Sequence, residues 1–228
     1  TGGQIRFAEK VPYKTIYGKW TRALAEKCRK KGVEIRTGTE VTEDMIAREK
    51  PEAVILATGA DQAACPAEGI HASVVCGAWQ VLEGKIKPQD HILIIGGGLV
   101  GMETADFLCA RGGKDVTLVE MLPDSPVSPL TAHGIMLRRR LGAAGAKLLF
   151  NTTVKKIEAG SVVMTTDGKD RKLEPIDQVI VAVGVTPRSD LKEMLRKKNI
   201  RHFIVGDARE PRRIIEATTE GAKAAWEV

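Results

Sequence analysis

His91-Ile92-Leu93-Ile94-Ile95-Gly96-Gly97-Gly98-Leu99-Val100-Gly101 is the stretch that decides the fold. The apolar run Ile92 to Ile95 suits a strand buried on both faces. It passes straight into G-x-G-x-x-G, and Leu99 to Ala110 then reads as a helix. Gly96 permits the tight turn out of the strand, Gly98 lets backbone approach a pyrophosphate with no side chain between, and Gly101 allows close packing of helix on strand. N–H groups at the start of the helix face the phosphates, and the positive end of the helix dipole adds to the attraction. A glycine-rich turn alone is weak evidence. Here the next strand, Asp115 to Glu120, ends in an acid 24 residues beyond Gly96, where a carboxylate accepts hydrogen bonds from a ribose 2′-OH. Gly96, Gly97, Gly98, Leu99, Val100, Gly101 and Glu120 therefore read as a dinucleotide site, with Gly184 at the end of a later strand lining its far side. NAD(H) is favoured over NADP(H), because a carboxylate repels a 2′-phosphate while Met121 and Leu122 offer it no cation. The alternative, in which Arg138, Arg139 or Arg140 swings towards a 2′-phosphate, stays open at this point.

Outward from this stretch, strands and helices alternate, which gives an α/β class with a parallel sheet. On the N-terminal side the spacing predicts a helix over Thr15–Lys31, an alternating strand over Val33–Arg36, a helix over Thr42–Lys50 capped by Thr42, and a strand over Ala53–Ala57 buried on both faces. Asp61 to Gly69 reads as a connector, followed by a short helix at Ala78–Leu82. On the C-terminal side follow a helix at Leu130–Ala144, a strand at Lys147–Phe150, and an antiparallel meander of Val154–Glu158, Ser161–Thr165 and Lys172–Leu173. Its turns are Ala159-Gly160 and Asp167-Gly168. Val179–Val183 is a further buried strand, Leu191–Lys198 a helix, His202–Val205 a last strand, and Ile214–Trp226 a closing helix.

Composition excludes several classes. The 228 residues are 43% hydrophobic and 28% charged, the balance of a globular chain. No apolar run approaches the ~18 residues of a membrane span, so no membrane partner is expected. Net charge is +6, and the clusters Arg29-Lys30-Lys31, Arg138-Arg139-Arg140 and Arg196-Lys197-Lys198 fall near predicted helix ends, where cations offset the dipole. With aromatics at 4% there is no base-stacking platform, and no nucleic-acid partner is expected; binding through the basic clusters would show a steep salt dependence. Cys28, Cys65, Cys76 and Cys109 have no paired metal-type spacing and read as reduced thiols in a cytoplasmic protein. His71, His91, His133 and His202 have no neighbouring carboxylate at useful spacing and read as surface residues. No catalytic side chain and no metal ligand is assigned, which suits hydride transfer, where cofactors carry the chemistry.

Further strings occur in order around the glycine loop: Gly2-Gly3-Gln4-Ile5, Ala57-Thr58-Gly59-Ala60, Met102-Glu103-Thr104-Ala105, Ala182-Val183-Gly184-Val185-Thr186-Pro187, Val205-Gly206-Asp207-Ala208, and Arg212 to Ala217 ahead of Glu220-Gly221. With them the whole chain resembles the C-terminal, pyridine-nucleotide-disulfide-oxidoreductase-like half of the old-yellow-enzyme-related flavoproteins. That group includes 2,4-dienoyl-CoA reductase, trimethylamine dehydrogenase, enoate reductases and NADH oxidases. The resemblance implies a Rossmann-like FAD/NAD(P)-binding fold. It also implies an N-terminal TIM barrel holding FMN and a 4Fe-4S cluster, and a C-terminal half holding FAD and the nicotinamide cofactor.

In that family a complete strand, glycine loop, helix and second strand precede Gly-Gly-Gln and grip the FAD pyrophosphate. This chain starts at Thr1, without an initiator Met, so that cradle and the barrel are expected to be missing and the isolated chain to be inactive and free of FAD. The resemblance leaves a residual FAD site at Gly3, Gln4, Thr58, Gly59, Ala60, Gly206 and Asp207, with Asp207 on the ribityl chain. The expected organisation is an NAD(H)-binding domain, 87–185, inserted in an incomplete FAD-binding domain, 1–86 and 186–228. Strand edges at Ala53–Ala57 and His202–Val205 are expected to pair with another chain, as in a homo-oligomer, or to be mobile. The leading reading is the nicotinamide-dinucleotide-binding fragment of an FAD-dependent NADH oxidoreductase. Its rival is a non-catalytic module holding ADP or NAD as a structural ligand.

Overall fold

The computed structural model describes all 228 residues. In chain order the elements are α1 (Ile5–Ala8), α2 (Ile16–Lys30), α3 (Glu43–Glu49), β1 (Val54–Leu56), β2 (Ala60–Gln62), β3 (Val75–Gly77), α4 (Ala78–Glu83), β4 (His91–Ile95), α5 (Leu99–Cys109) and β5 (Asp115–Val119). They continue with α6 (Ala132–Ala143), β6 (Lys147–Leu149), β7 (Thr152–Glu158), β8 (Ser161–Thr166), β9 (Lys169–Leu173), β10 (Gln178–Val181), β11 (Val185–Pro187), α7 (Lys192–Lys197), β12 (His202–Ile204) and α8 (Ile214–Glu227). The chain forms two compact units: Arg22–Asp61 and Val185–Val228 with Thr1, and Gly2–Thr21 with Gln62–Gly184. Residues 2–21 and 62–86, which the sequence places with the outer segments, thus lie in the same unit as the glycine loop. No helix is long and apolar enough to cross a membrane.

The second unit is built on a parallel sheet in the order β3-β10-β4-β5-β6. Successive strand side chains point to opposite faces, so the apolar runs of β4, β5 and β10 feed two cores. On one face Ile92, Ile94, Val116, Leu118 and Ile180 pack with Val81 of α4, Met102 and Leu108 of α5, and Leu137 and Leu141 of α6. On the other, Leu93, Ile95, Val119 and Val179 pack against Val154, Ile157, Val162 and Met164 of the meander. The meander is the antiparallel sheet β7-β8-β9. Its tight turns rest on backbone that glycine and aspartate tolerate, with φ of +48° at Asp167 and +77° at Gly168.

In the first unit β1 and β12 form a parallel pair, Leu56 opposite Ile204. α3 starts at Thr42, whose hydroxyl accepts from the Met45 N–H at 3.3 Å, as the sequence predicts. Ile46 of α3 packs with Leu56 and with Leu195 of α7. Three expectations fail here. Val33–Arg36 is not a strand, because no neighbouring strand offers it a ladder; Arg36 instead pairs with Glu34 at 2.7 Å and with Glu49 at 3.1 Å. The strand at Ala53–Ala57 shortens to three residues and is not buried on both faces, since Ile55 is 40% exposed while Leu56 is covered. The connector at Asp61–Gly69 begins inside β2, which pairs with β11.

Candidate functional site

Sheet order puts the end of β4 between β5 and β10, so the loop that leaves it is held from both sides. Gly96 donates its N–H to the Val119 carbonyl at 2.9 Å, and Ala182 donates to the Ile95 carbonyl at 2.8 Å. Gly96 turns the chain at φ +110°, and a Cβ there would lie 2.4 Å from the Ala182 oxygen. A Cβ on Gly101 would stand 1.9 Å from the Gly96 oxygen, so glycine is what lets α5 lie against the strand end. Gly98 differs. It is the N-cap of α5, with φ −69° and ψ −177° and no side-chain cap, and a Cβ built on it meets nothing within 4 Å. Backbone at Gly98 therefore faces open space. The N–H groups of Leu99, Val100 and Gly101 form the first turn of α5, where no intrahelical acceptor exists, and Leu99 and Val100 are exposed.

Glu120 follows β5 directly and is buried. Its Oε2 accepts the Gly97 N–H at 2.6 Å, and its Oε1 accepts the Leu122 N–H at 3.0 Å. Each carboxylate oxygen keeps a second lone pair for another donor. Ser125, which sequence reasoning passes over, closes the arrangement: its hydroxyl donates to the Gly97 carbonyl at 2.5 Å and accepts the Val127 N–H at 3.1 Å. Gly184 turns at φ +115° with its carbonyl accepting the Ala63 N–H at 3.0 Å.

The arginine cluster is not the solvated helix end that its sequence position suggests. Arg138 lies within α6 and reaches Asp124 at 2.9 Å and the Val127 carbonyl at 3.2 Å. The Arg138 guanidinium, helped by the Ser125 N–H, holds the Asp124 carboxyl below the usual range. Arg140 grips the buried Asp106 through bonds of 2.7 and 2.9 Å, which raises the guanidinium pKa further. Of the three, Arg139 alone is exposed.

Two histidines also depart from expectation. His91 Nδ1 meets Asp177 Oδ2 at 2.7 Å, at the end of β4 opposite the glycine loop. His133 Nε2 meets Glu103 Oε1 at 3.0 Å, and Lys14 donates to the same buried oxygen. Glu103 lies on α5 inside a string visible in the sequence. Its partners are 30 and 89 residues away, so no local spacing signals them. Burial pushes the Cys76 thiol up to about 11, and burial likewise raises Cys109, so neither is an activated thiolate.

Of the residual FAD positions, Thr58, Gly59, Ala60, Gly206 and Asp207 fall in the first unit, and Gly3 and Gln4 in the second. The first group converges: β1 and β12 run parallel, the Val205 N–H bonds the Leu56 carbonyl at 3.0 Å, and both chains leave the pair at the same end. Thr58 donates its hydroxyl to the Arg188 carbonyl. The Gly206 N–H is taken by Glu220 at 2.8 Å, and Asp207 Oδ1 accepts the Arg212 N–H at 3.2 Å. Gly3 has φ +47°, and Gln4 caps α1.

Residues 47–210 match the family model for pyridine nucleotide-disulphide oxidoreductases. Among curated relatives, the chain is 33% identical over its whole length to the NADH oxidase of Thermoanaerobacter brockii, covering 36% of that protein. It is also 33% identical to the bilirubin reductase of Mediterraneibacter gnavus, across 92% of this chain and 32% of the relative. Among solved structures, a 2-naphthoyl-CoA reductase complex superposes with a TM-score of 0.90 at 28% identity, covering 99% of this chain and 34% of the other. The chain thus spans about a third of the length of these three proteins. These relatives bear out the resemblance read from the motifs.

Proposed function

The chain belongs to the pyridine nucleotide-disulphide oxidoreductase family, and from that premise we propose that it is the dinucleotide-binding part of a longer flavin-dependent NADH oxidoreductase. The family implies binding of FAD and NAD(P). The residues fit a dinucleotide at the glycine loop, since Gly96 and Gly101 are closed to any side chain while Gly98 opens outward beside an uncapped helix start. The single observation that carries the reading is the buried Glu120 carboxylate bonded to the loop at the Gly97 N–H. That bond supports the reading, because a carboxylate tied to the glycine loop at the end of the following strand suits the hydroxyls of an adenosine ribose.

When bound, the nicotinamide supplies a hydride for a flavin. The chain's own residues bind and orient. First-turn N–H groups of Leu99, Val100 and Gly101 offset the desolvation of the pyrophosphate, Glu120 accepts from the ribose hydroxyls, and Gly184 gives the far wall a surface without a side chain. NADH is preferred over NADPH on two grounds: the carboxylate repels a 2′-phosphate, and Arg138 and Arg140 are committed to Asp124 and Asp106. Thr58, Gly59, Ala60, Gly206 and Asp207 form the first unit's share of an FAD site, and Asp207 keeps one carboxylate oxygen for a ribityl hydroxyl.

The test is titration of the chain with NADH, followed by the nicotinamide fluorescence and by competition with ADP-ribose. Saturable binding displaced by ADP-ribose is expected. Failure of ADP-ribose to compete would place the nucleotide elsewhere and overturn the assignment.

A further inference from the structure

Ser125 lies in the loop between β5 and α6, 28 residues from the glycine it touches, and is 6% exposed. Nothing in the binding role derived above uses it. Its hydroxyl donates to the Gly97 carbonyl at 2.5 Å, close to the short end for such bonds. The carbonyl of Gly97 and the N–H of Gly98 belong to one peptide plane. The only cis peptide in the chain is Glu174-Pro175, so this plane is trans and its C=O and N–H point in opposite directions. With the C=O turned inward to Ser125, the Gly98 N–H turns away from the loop anchor. Gly98 is also where an added Cβ meets only open space.

A peptide between two glycines has little of its own to stop it rotating. The preceding plane is fixed by Glu120, through the Gly97 N–H at 2.6 Å. The Gly97–Gly98 plane has no such acidic partner and depends on the serine. The serine is in turn braced: its Oγ accepts the Val127 N–H at 3.1 Å, its own N–H reaches Asp124 at 2.7 Å, and Asp124 is held by Arg138.

We infer that Ser125 is a positioning residue, whose hydroxyl sets the Gly97–Gly98 peptide so that the Gly98 N–H is aimed at the pyrophosphate of the bound dinucleotide. The inference rests on the dinucleotide reading of the loop. It separates two duties: Glu120 reads the ribose and sets the choice between NADH and NADPH, while Ser125 acts on the phosphates that both share.

Ser125→Ala should therefore weaken NADH and NADPH by the same factor, on the order of tenfold as for one buried hydrogen bond, and leave their ratio unchanged. Ser125→Thr, which restores a hydroxyl, should recover most of the loss. The direct readout is the Gly98 amide resonance in an isotope-labelled chain: ADP should shift it in the wild type and shift it far less in Ser125→Ala. Ser125→Ala binding NADH as tightly as a wild type that binds it well would overturn the inference alone. So would loss of binding that tracks loss of folding and is not rescued by threonine. A wild-type chain that binds neither nucleotide would overturn the dinucleotide reading itself.

Discussion

The Gly97 N–H and the Glu120 carboxylate are joined by a bond of 2.6 Å across 23 residues of sequence. Hydrogen bonds to an ionised acceptor are shorter and about twice as strong as neutral ones, and this one is buried. It ties the loop after β4 to the end of β5, so that the group proposed to read the ribose and the backbone proposed to hold the phosphates form one rigid piece. The second Glu120 oxygen is held by Leu122 at 3.0 Å, which fixes the carboxylate plane before any ligand arrives.

Gly98 and Gly101 separate binding from folding. At Gly98 the backbone is extended and a Cβ has free space, so Gly98→Val should fold with an unfolding midpoint near that of the wild type. The new side chain then occupies the approach to the loop, and NADH affinity should fall at least about tenfold, one lost buried contact or more. Unchanged affinity in the folded variant would mean that the loop is not the cradle.

Gly101→Ala should act on stability instead. Its Cβ would lie 1.9 Å from the Gly96 oxygen, which is backbone and cannot rotate away. Overpacking of this kind costs about 1 to 3 kcal/mol, read as a lower urea midpoint without any ligand present. A midpoint equal to that of the wild type would show that α5 shifts freely against β4.

Arg140 covers a buried charge. Asp106 is 3% exposed, and its carboxylate is held by Arg140 at 2.7 Å, with the guanidinium also 5.1 Å from the Tyr13 ring centroid. Arg140→Met should leave the carboxylate unpaired and cost about 3 kcal/mol, the usual penalty for breaking a buried pair from one side. Adding Asp106→Leu should return most of it. A loss below about 1 kcal/mol in the single variant would show that water reaches Asp106 freely.

The His91–Asp177 pair gives a pH signature. Asp177 is held below the usual carboxylate range by His91, through its side chain and its backbone N–H. A depressed carboxyl contributes stability above its unfolded pKa of about 3.9 and loses it as pH falls through the lower folded value. The difference in urea midpoint between wild type and Asp177→Asn should thus shrink as pH falls below about 4. A difference that persists undiminished at the lowest pH at which the chain stays folded would contradict the assignment.

The sequence makes the second unit legible because its signals are local and long. A four-residue apolar run entering a glycine loop and two Gly-containing hairpin turns each declare themselves within a few positions. β2 and β11 escape because Asp61 and Gln62 in the one, and Thr186 and Pro187 in the other, leave no apolar run. Val33–Arg36 misleads for the complementary reason: alternation describes a side-chain pattern, whereas a strand also needs a neighbour for its N–H and C=O groups. At the site, Gly96 to Gly101 and Glu120 are legible from spacing. Ser125 is not, since its loop has neither period nor motif. The partners of Glu103, Asp106 and Asp124 are illegible too, because each comes from another element brought near by the fold.

The most direct test of the account is paired titration of wild type and Glu120→Gln with NADH and NADPH. The wild type should bind NADH at least about tenfold more tightly than NADPH, as for a lost hydrogen bond to a charged group, and the preference should narrow in Glu120→Gln, which no longer repels a 2′-phosphate. Equal affinity of the wild type for both nucleotides, or a preference unchanged in the variant, would contradict it.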